Sequence, residues 1–172
     1  MPTQVEHAAS KIMGAAKQAK SAVKGLSGVF RTLMQEHGEV SALLLRLKGS
    51  DDLELRRRLF PLIRKELLSH EKGELAVVYP IFEQYPETAE LAIHHNQEAQ
   101  SMETLIQRLH ELEYDSPSWG PMFEELVAAV QHHVQEEENN FFPKGELAFG
   151  SKKSEELETR YMATKQDVIA KL

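Results

Sequence analysis

Residues 70–80 read His-Glu-Lys-Gly-Glu-Leu-Ala-Val-Val-Tyr-Pro, and residues 133–143 read His-Val-Gln-Glu-Glu-Glu-Asn-Asn-Phe-Phe-Pro. In each stretch a Glu follows the His by four residues and a Pro follows it by ten, and the two copies stand 63 positions apart. Residues four apart share one face of an α-helix, so His70/Glu74 and His133/Glu137 can each grip one metal ion. The surrounding apolar pattern makes both stretches helical. Leu59, Ile63, Leu67, His70, Glu74, Val77 and Ile81 form the inner face of one helix, which ends near Tyr79. Trp119, Met122, Leu126, Val130, His133 and Glu137 form the inner face of another, which Asn139–Pro143 ends.

Two further helices complete a bundle. From Val5 to Leu47 apolar residues recur in rows at a 3.5-residue period, one through Val5, Ile12, Ala19, Leu26, Leu33, Val40 and Leu47. Gly25 and Gly28 break this segment into a leading helix and a first bundle helix, and His37 sits where the pattern calls for a core residue. Ser50 or Asp51 is expected to cap the next helix, with a kink or a helix restart near Phe60 because of Pro61. The third bundle helix opens at Tyr85-Pro86-Glu87 and reaches about Glu113, with Leu91, His95, Ala99 or Glu98, Met102, Ile106 and Leu109 inward. A last helix covers about 151–172. The expected fold is all-α: an antiparallel up-and-down four-helix bundle with additional N-terminal and C-terminal helices. Residues 1–25 form a basic amphipathic helix, 26–143 the metal-binding bundle and 144–172 the C-terminal helix.

Composition agrees and excludes much else. Of 172 residues 27 are acidic and 20 basic, a net charge of −7, which argues against nucleic acid or an anionic membrane as the main partner. There is no cysteine, which removes disulfides, thiolate catalysis and cysteine-ligated clusters, so a metal site must use the eight histidines and the carboxylates. The longest apolar run, Leu75–Phe82, is far short of the roughly 20 residues of a membrane span. No basic-then-apolar leader opens the chain, and the expected compartment is the cytoplasm.

His37 and His95 each stand on an inner stripe, with leucines at −4 in both cases (Leu33 and Leu91). His94 and His132 are out of phase with those stripes, although His94 also pairs with Glu98 at i, i+4; both His94 and Glu98 remain candidates for an additional ligand. Four imidazoles and two carboxylates converging in a bundle interior are very costly to bury without compensating charge. Two divalent ions supply it, with Glu74 and Glu137 bridging, and octahedral ions keep about two positions each for small ligands. Glu36, Glu71, Glu136 and Glu138 are placed as acceptors for the outer ring nitrogens of the histidines, or as solvated charges. His7 and His110 join no constellation.

The residues Glu36-His37, His70-x3-Glu74-x5-Pro80, His95 and His133-x3-Glu137-Glu138-x2-Phe141-Phe142-Pro143 resemble the hemerythrin-like HHE cation-binding domain, over about residues 26–143. The resemblance implies a non-heme di-iron centre, oxo- or hydroxo-bridged, that takes a small molecule: dioxygen, peroxide or nitric oxide. Hemerythrins proper carry two histidines four residues apart on the third helix; starting from His95, the second falls at Ala99, which cannot ligate. An extra exchangeable position favours redox turnover, such as peroxidase- or catalase-like chemistry or nitric oxide reduction, over reversible carriage. An oxygen, redox or iron sensor acting through a partner, and iron storage or delivery, are the alternatives. Ligand type alone does not select iron over zinc or manganese. The terminal helices are candidates for a homodimer contact.

Overall fold

A computed structural model describes residues 3–172, so the first two positions of the expected 1–25 segment lie outside the described residues. The helices are α1 (Gln4–Val23), α2 (Gly28–Leu47), α3 (Leu53–Val77), the single turn α4 (Tyr79–Phe82), α5 (Ala89–Glu111), α6 (Trp119–Glu136) and α7 (Phe142–Ile169). A π-helical turn, Glu137–Phe141, joins α6 to α7. There is no strand among the described residues. Helices α2, α3, α5 and α6 form the bundle; α1 packs on α2, and α7 packs on α2 and α3.

Two apolar cores occupy opposite ends of the bundle. One joins the C-terminal half of α2 (Val40–Leu47) to the start of α3, the end of α5 and the start of α6, around Phe60, Trp119 and Phe123. The other joins the start of α2 (Val29–Met34) to the end of α3, α4, Ala92, Phe141, Phe142 and α7. Each core thus pairs one helix's beginning with its neighbour's end, the signature of antiparallel packing. The positions skipped by both cores, near His37, His70, His95 and His133, form a polar layer between them.

Several boundaries differ from the sequence reading, each for a physical reason. Asp52, rather than Ser50 or Asp51, caps α3, its carboxylate accepting from Glu54 N at 2.9 Å and Leu55 N at 3.1 Å. Ser50 and Asp51 instead hold the guanidinium of Arg56. Helix α3 runs through Pro61 as one element, forfeiting the bond to the Arg57 carbonyl but not the helix. Asn139–Pro143 does not end the fourth helix: the π turn carries the chain on, Pro143 sits in the first turn of α7 where no N–H is needed, and the break comes at Gly150 (φ 76°).

The largest departure concerns α1. Val5 and Ile12 are 79% and 69% exposed, so the leading part of the apolar row faces outward. The packed face is Glu6, Ser10, Gly14 and Ser21. The cause is a close crossing with α2, where a Cβ on Gly38 would lie 2.4 Å from the Met13 carbonyl oxygen. Only small residues fit such a crossing, and polar ones are satisfied in it: Ser10 donates to the Glu39 carbonyl at 2.9 Å, and Glu6 pairs with Arg58 at 2.5 Å.

Candidate metal centre

The polar layer gathers His37 from α2, His70, Glu71 and Glu74 from α3, His95 from α5, His133 from α6 and Glu137 from the π turn, all buried. His37 and His70 meet through their Nε2 atoms, 3.2 Å apart. His37 Nε2 is also 3.2 Å from Glu137 Oε2, and His70 Nε2 is 3.2 Å from Glu74 Oε2. Across the layer His133 Nε2 faces Glu137 Oε1 at 3.5 Å and Glu71 Oε1 at 3.6 Å. Tyr79 donates its hydroxyl to Glu137 Oε1 at 2.9 Å and lies 3.3 Å from His133 Nε2.

The backs of the α2 and α3 imidazoles are held by carboxylates. His37 Nδ1 is 3.1 Å from Glu138 Oε1, and His70 Nδ1 is 2.9 Å from Glu36 Oε2. Each carboxylate is in turn held by a terminal helix. Lys17 of α1 pairs with Glu138, whose backbone carbonyl accepts from Lys24 at 2.5 Å. From α7, Lys165 reaches Glu36 at 2.8 Å and Tyr161 donates to it at 2.6 Å. Gly73 makes room for that tyrosine, since a Cβ there would lie 2.6 Å from the Tyr161 ring.

On the α5–α6 side the arrangement is different. His95 Nδ1 and His133 Nδ1 lie 3.2 Å apart, and both face one carboxylate, Glu98, whose Oε2 is 2.8 Å from His133 and 3.3 Å from His95. His94 and His132 are exposed and lie outside the layer, and Glu136 is with them at the surface, 3.2 Å from His94 Nε2. Ala99 is buried one turn after His95.

The layer as it stands is not self-sufficient. Both oxygens of Glu74, Oε2 of Glu71, Oε2 of Glu137 and Nε2 of His95 are buried without a hydrogen-bond partner. Native interiors rarely leave so many polar atoms unmatched in one place. Burial, reinforced by the charge of Glu137, pushes the Glu74 carboxyl up to about 7. Burial also raises Glu71. Burial disfavours the charged form of His133, but Glu137 and Glu71 outweigh it and raise the imidazole to about 10. For His70 burial is likewise overcome, by Glu74 and Glu36, and its pKa rises well above the ordinary value. Without metal, protonated imidazoles are what balance the carboxylates, and a bound cation displaces those protons. Imidazole and carboxylate donors in this proportion suit iron, zinc or manganese, so the donor set fits a metal centre.

Six inner positions chosen by helical period (His37, His70, Glu74, His95, His133 and Glu137) come together in this layer. Glu36 and Glu138 stand behind histidines as expected, whereas Glu71 points into the layer itself. Helical period does not single out Tyr79, Lys17 or Lys165, and it puts Tyr161 on the stripe of the last helix, with Leu157, Thr164 and Val168, without naming its partner. Tyr79 leaves a signal as the residue before the proline ten positions after His70.

The hemerythrin HHE cation-binding domain matches residues 28–145. An uncharacterized hemerythrin-like protein of Schizosaccharomyces pombe is 25% identical over 138 residues, which cover 79% of this chain and 68% of that protein. A Nostoc protein named DNA nickase is 24% identical over 143 residues, covering 81% of this chain and 40% of that protein. No solved structure matches the chain significantly.

Proposed function

The chain belongs to the hemerythrin HHE cation-binding family, and on that premise we propose that it is a non-heme di-iron protein that binds or reacts with dioxygen, peroxide or nitric oxide inside its helical bundle. The observation that carries this reading is Glu74. Its carboxylate is fully buried with neither oxygen accepting a hydrogen bond, although His70 Nε2 lies 3.2 Å from Oε2, and bound cations would relieve that placement without the protons that otherwise balance it.

His37 and His70 would hold one ion and His95 and His133 the other, with the carboxylates of Glu74 and Glu137 available to both. Iron in such a site supplies a redox-active Lewis acid to a small ligand. The chain's own residues do the rest. Glu36 and Glu138 fix the imidazole orientations on one side, as carboxylate partners of ligating histidines do. Tyr79 keeps a proton at its hydroxyl beside Glu137, because burial and the charge of Glu137 raise its pKa well above the ordinary value. Phe82 and Phe141, stacked with centroids 3.6 Å apart, wall off water next to Tyr79. Ala99 offers no donor one turn after His95, which would favour turnover of the oxidant, by peroxidase- or catalase-like chemistry or nitric oxide reduction, over storage of it. Nicking of DNA belongs to the longer Nostoc protein and does not extend to this chain's proposed role.

Iron analysis of the full chain expressed in iron-replete medium tests the reading. Two irons per chain with a near-ultraviolet charge-transfer band are expected, and Glu74→Ala and Glu137→Ala are expected to lose metal. An iron-free wild type, or full retention in both variants, overturns it.

A second reading, a sensor whose metal state acts on a partner, draws on the contact of Lys17 with Glu138 and thus with His37. It predicts that removing metal speeds proteolysis within α1; equal cleavage rates reject it. Among the described residues no helix is long and apolar enough to cross a membrane, and the cytoplasm is the proposed setting.

A further inference from the structure

Helices α5 and α6 each carry a doublet of histidines, His94-His95 and His132-His133, and in each the first histidine has a Glu at i+4, Glu98 and Glu136. The inner members belong to the centre described above. The outer members meet at the surface. His94 Nε2 is 3.4 Å from Glu98 Oε1 and 3.2 Å from Glu136 Oε2; His132 Nε2 is 3.4 Å from the same Glu98 Oε1 and 3.8 Å from Glu136 Oε1. Two ligand atoms bound to one ion at about 2.1 Å lie about 3.0–3.4 Å apart in octahedral or tetrahedral geometry. Three of the four separations fall within that spacing, and the fourth involves the most exposed ring, His132, at 61%. His94, Glu98 and Glu136 bring ligand atoms within 4.8 Å of one another, and His132, beside the same two carboxylates, stands next to this group as a further imidazole for a borderline divalent ion.

Glu98 makes this cluster more than a surface ion pair. Its Oε1 faces His94 and His132, while its Oε2 lies 2.8 Å from His133 Nδ1 and 3.3 Å from His95 Nδ1. One carboxylate therefore touches both the outer cluster and the inner layer. The cluster opens on a cleft of about 260 Å³ lined by Gln97, Ser101 and Ala129 among others. A second cavity, of about 160 Å³, reaches His70 past Lys11 and Lys165, and both lysines are tied to carboxylates there, Lys11 to Glu39 and Lys165 to Glu36 and Glu66.

We propose that His94, Glu98, His132 and Glu136 form an outer site for a divalent transition-metal ion, and that this site is the loading port through which Glu98 passes ions to the inner layer. The outer site stands on its own geometry; its role as a port rests on the reading of the inner layer as a metal centre.

The test uses the full chain stripped of metal and titrated with Co²⁺, whose visible absorption reports imidazole and carboxylate coordination. A Glu74→Gln/Glu137→Gln chain, with the inner bridges neutralised, is expected to bind one Co²⁺, and adding His94→Ala/His132→Ala is expected to abolish that binding. Binding weaker than a Kd of about 1 mM, or binding that survives the histidine substitutions, overturns the outer site. In an otherwise wild-type chain, His94→Ala/His132→Ala is expected to slow Fe²⁺ uptake about tenfold while leaving the final inner metal content unchanged. An unchanged rate overturns the port. A wild-type chain that binds one ion, lost with His94 and His132, leaves the outer site standing and rejects the inner centre instead. Should the double Gln variant lose its helical circular dichroism, paramagnetic broadening of the His94 and His132 ring protons in the wild type decides: its absence at excess Co²⁺ rejects the outer site.

Discussion

In the α2–α3 half of the layer each imidazole is backed by its own carboxylate, and each carboxylate is backed by a lysine from a terminal helix. In the α5–α6 half both imidazoles lean on one carboxylate, Glu98, whose side chain is 18% exposed and whose outward neighbours are exposed histidines. The same ligand chemistry is thus set in two different mountings. One half is locked from behind by α1 and α7, which lie largely outside the span that matches the family domain; the other is open at the surface. Rigid mounting holds an ion in one geometry, whereas a shared and partly wet carboxylate lets it exchange.

The largest effect that can break this contrast is metal loss. A chelator added to the loaded protein is expected to strip the α5–α6 ion first and leave a half-occupied chain. Glu36→Gln or Glu138→Gln, which weakens the backing of one α2–α3 histidine, is expected to weaken that half by about 10–100-fold and cancel the order. Metal content followed against time checks both, and simultaneous release in the wild type would erase the distinction.

The next effect is on folding of the metal-free chain, and its sign differs between two carboxylates. Burial would raise Glu36, but hydrogen bonding to His70 and the charges of His70 and Lys165 hold it at about 2, below its ordinary 4.5. A depressed carboxylate stabilises the fold above its unfolded pKa and loses that contribution as pH falls towards its folded value. Glu36→Gln is therefore expected to be less stable than wild type above pH 4.5, the gap closing towards pH 2. Glu74, raised from 4.5 to about 7, has the opposite sign: the folded chain holds its proton longer, so stability is lost as pH rises from the lower value to the higher. Glu74→Gln is expected to match wild type below pH 4.5 and exceed it above pH 7. Thermal unfolding across pH checks the pair, and parallel profiles would overturn the opposite signs assigned to the backing carboxylate and the inner one.

The smallest effect belongs to Lys165. Lys165→Met frees Glu36 to accept more strongly from His70, which favours the oxidised metal. The reduction potential of the loaded centre is expected to fall by at most about 60 mV, a tenfold change for one electron. A potential unmoved in both Lys165→Met and Lys17→Met would reduce these lysines to ties between helices.

Helical period is enough to find the inner layer. His95 rather than His94, and His133 rather than His132, follow from phase alone, because a buried face repeats every three or four residues. What period cannot see is which partner a residue meets far away in sequence, even when, like Tyr161, it lies on a stripe. Lys17 meets Glu138 across 121 positions and Tyr161 meets Glu36 across 125. Period also misleads where its premise fails. The row through Val5 and Ile12 keeps a core rhythm, but α1 is docked through small and polar residues on its other side. The inward turn of Glu71 is likewise illegible, since a residue next to His70 lies more than a quarter-turn off the stripe in a regular helix.

The π turn at Glu137–Phe141 places Glu137 into the layer, Glu138 behind His37, and Phe141 and Phe142 into the core shared with α4. Its Asn139 and Asn140 are exposed and read like residues of a tolerant loop. They are instead a register spacer. Deleting one would restore the α period and rotate α7 by about 100° relative to α6, swinging the aromatic pair out of the core. Among relatives, chain-length changes here should be rarer than the polarity of the two asparagines suggests, while exchanges of one polar residue for another should pass freely.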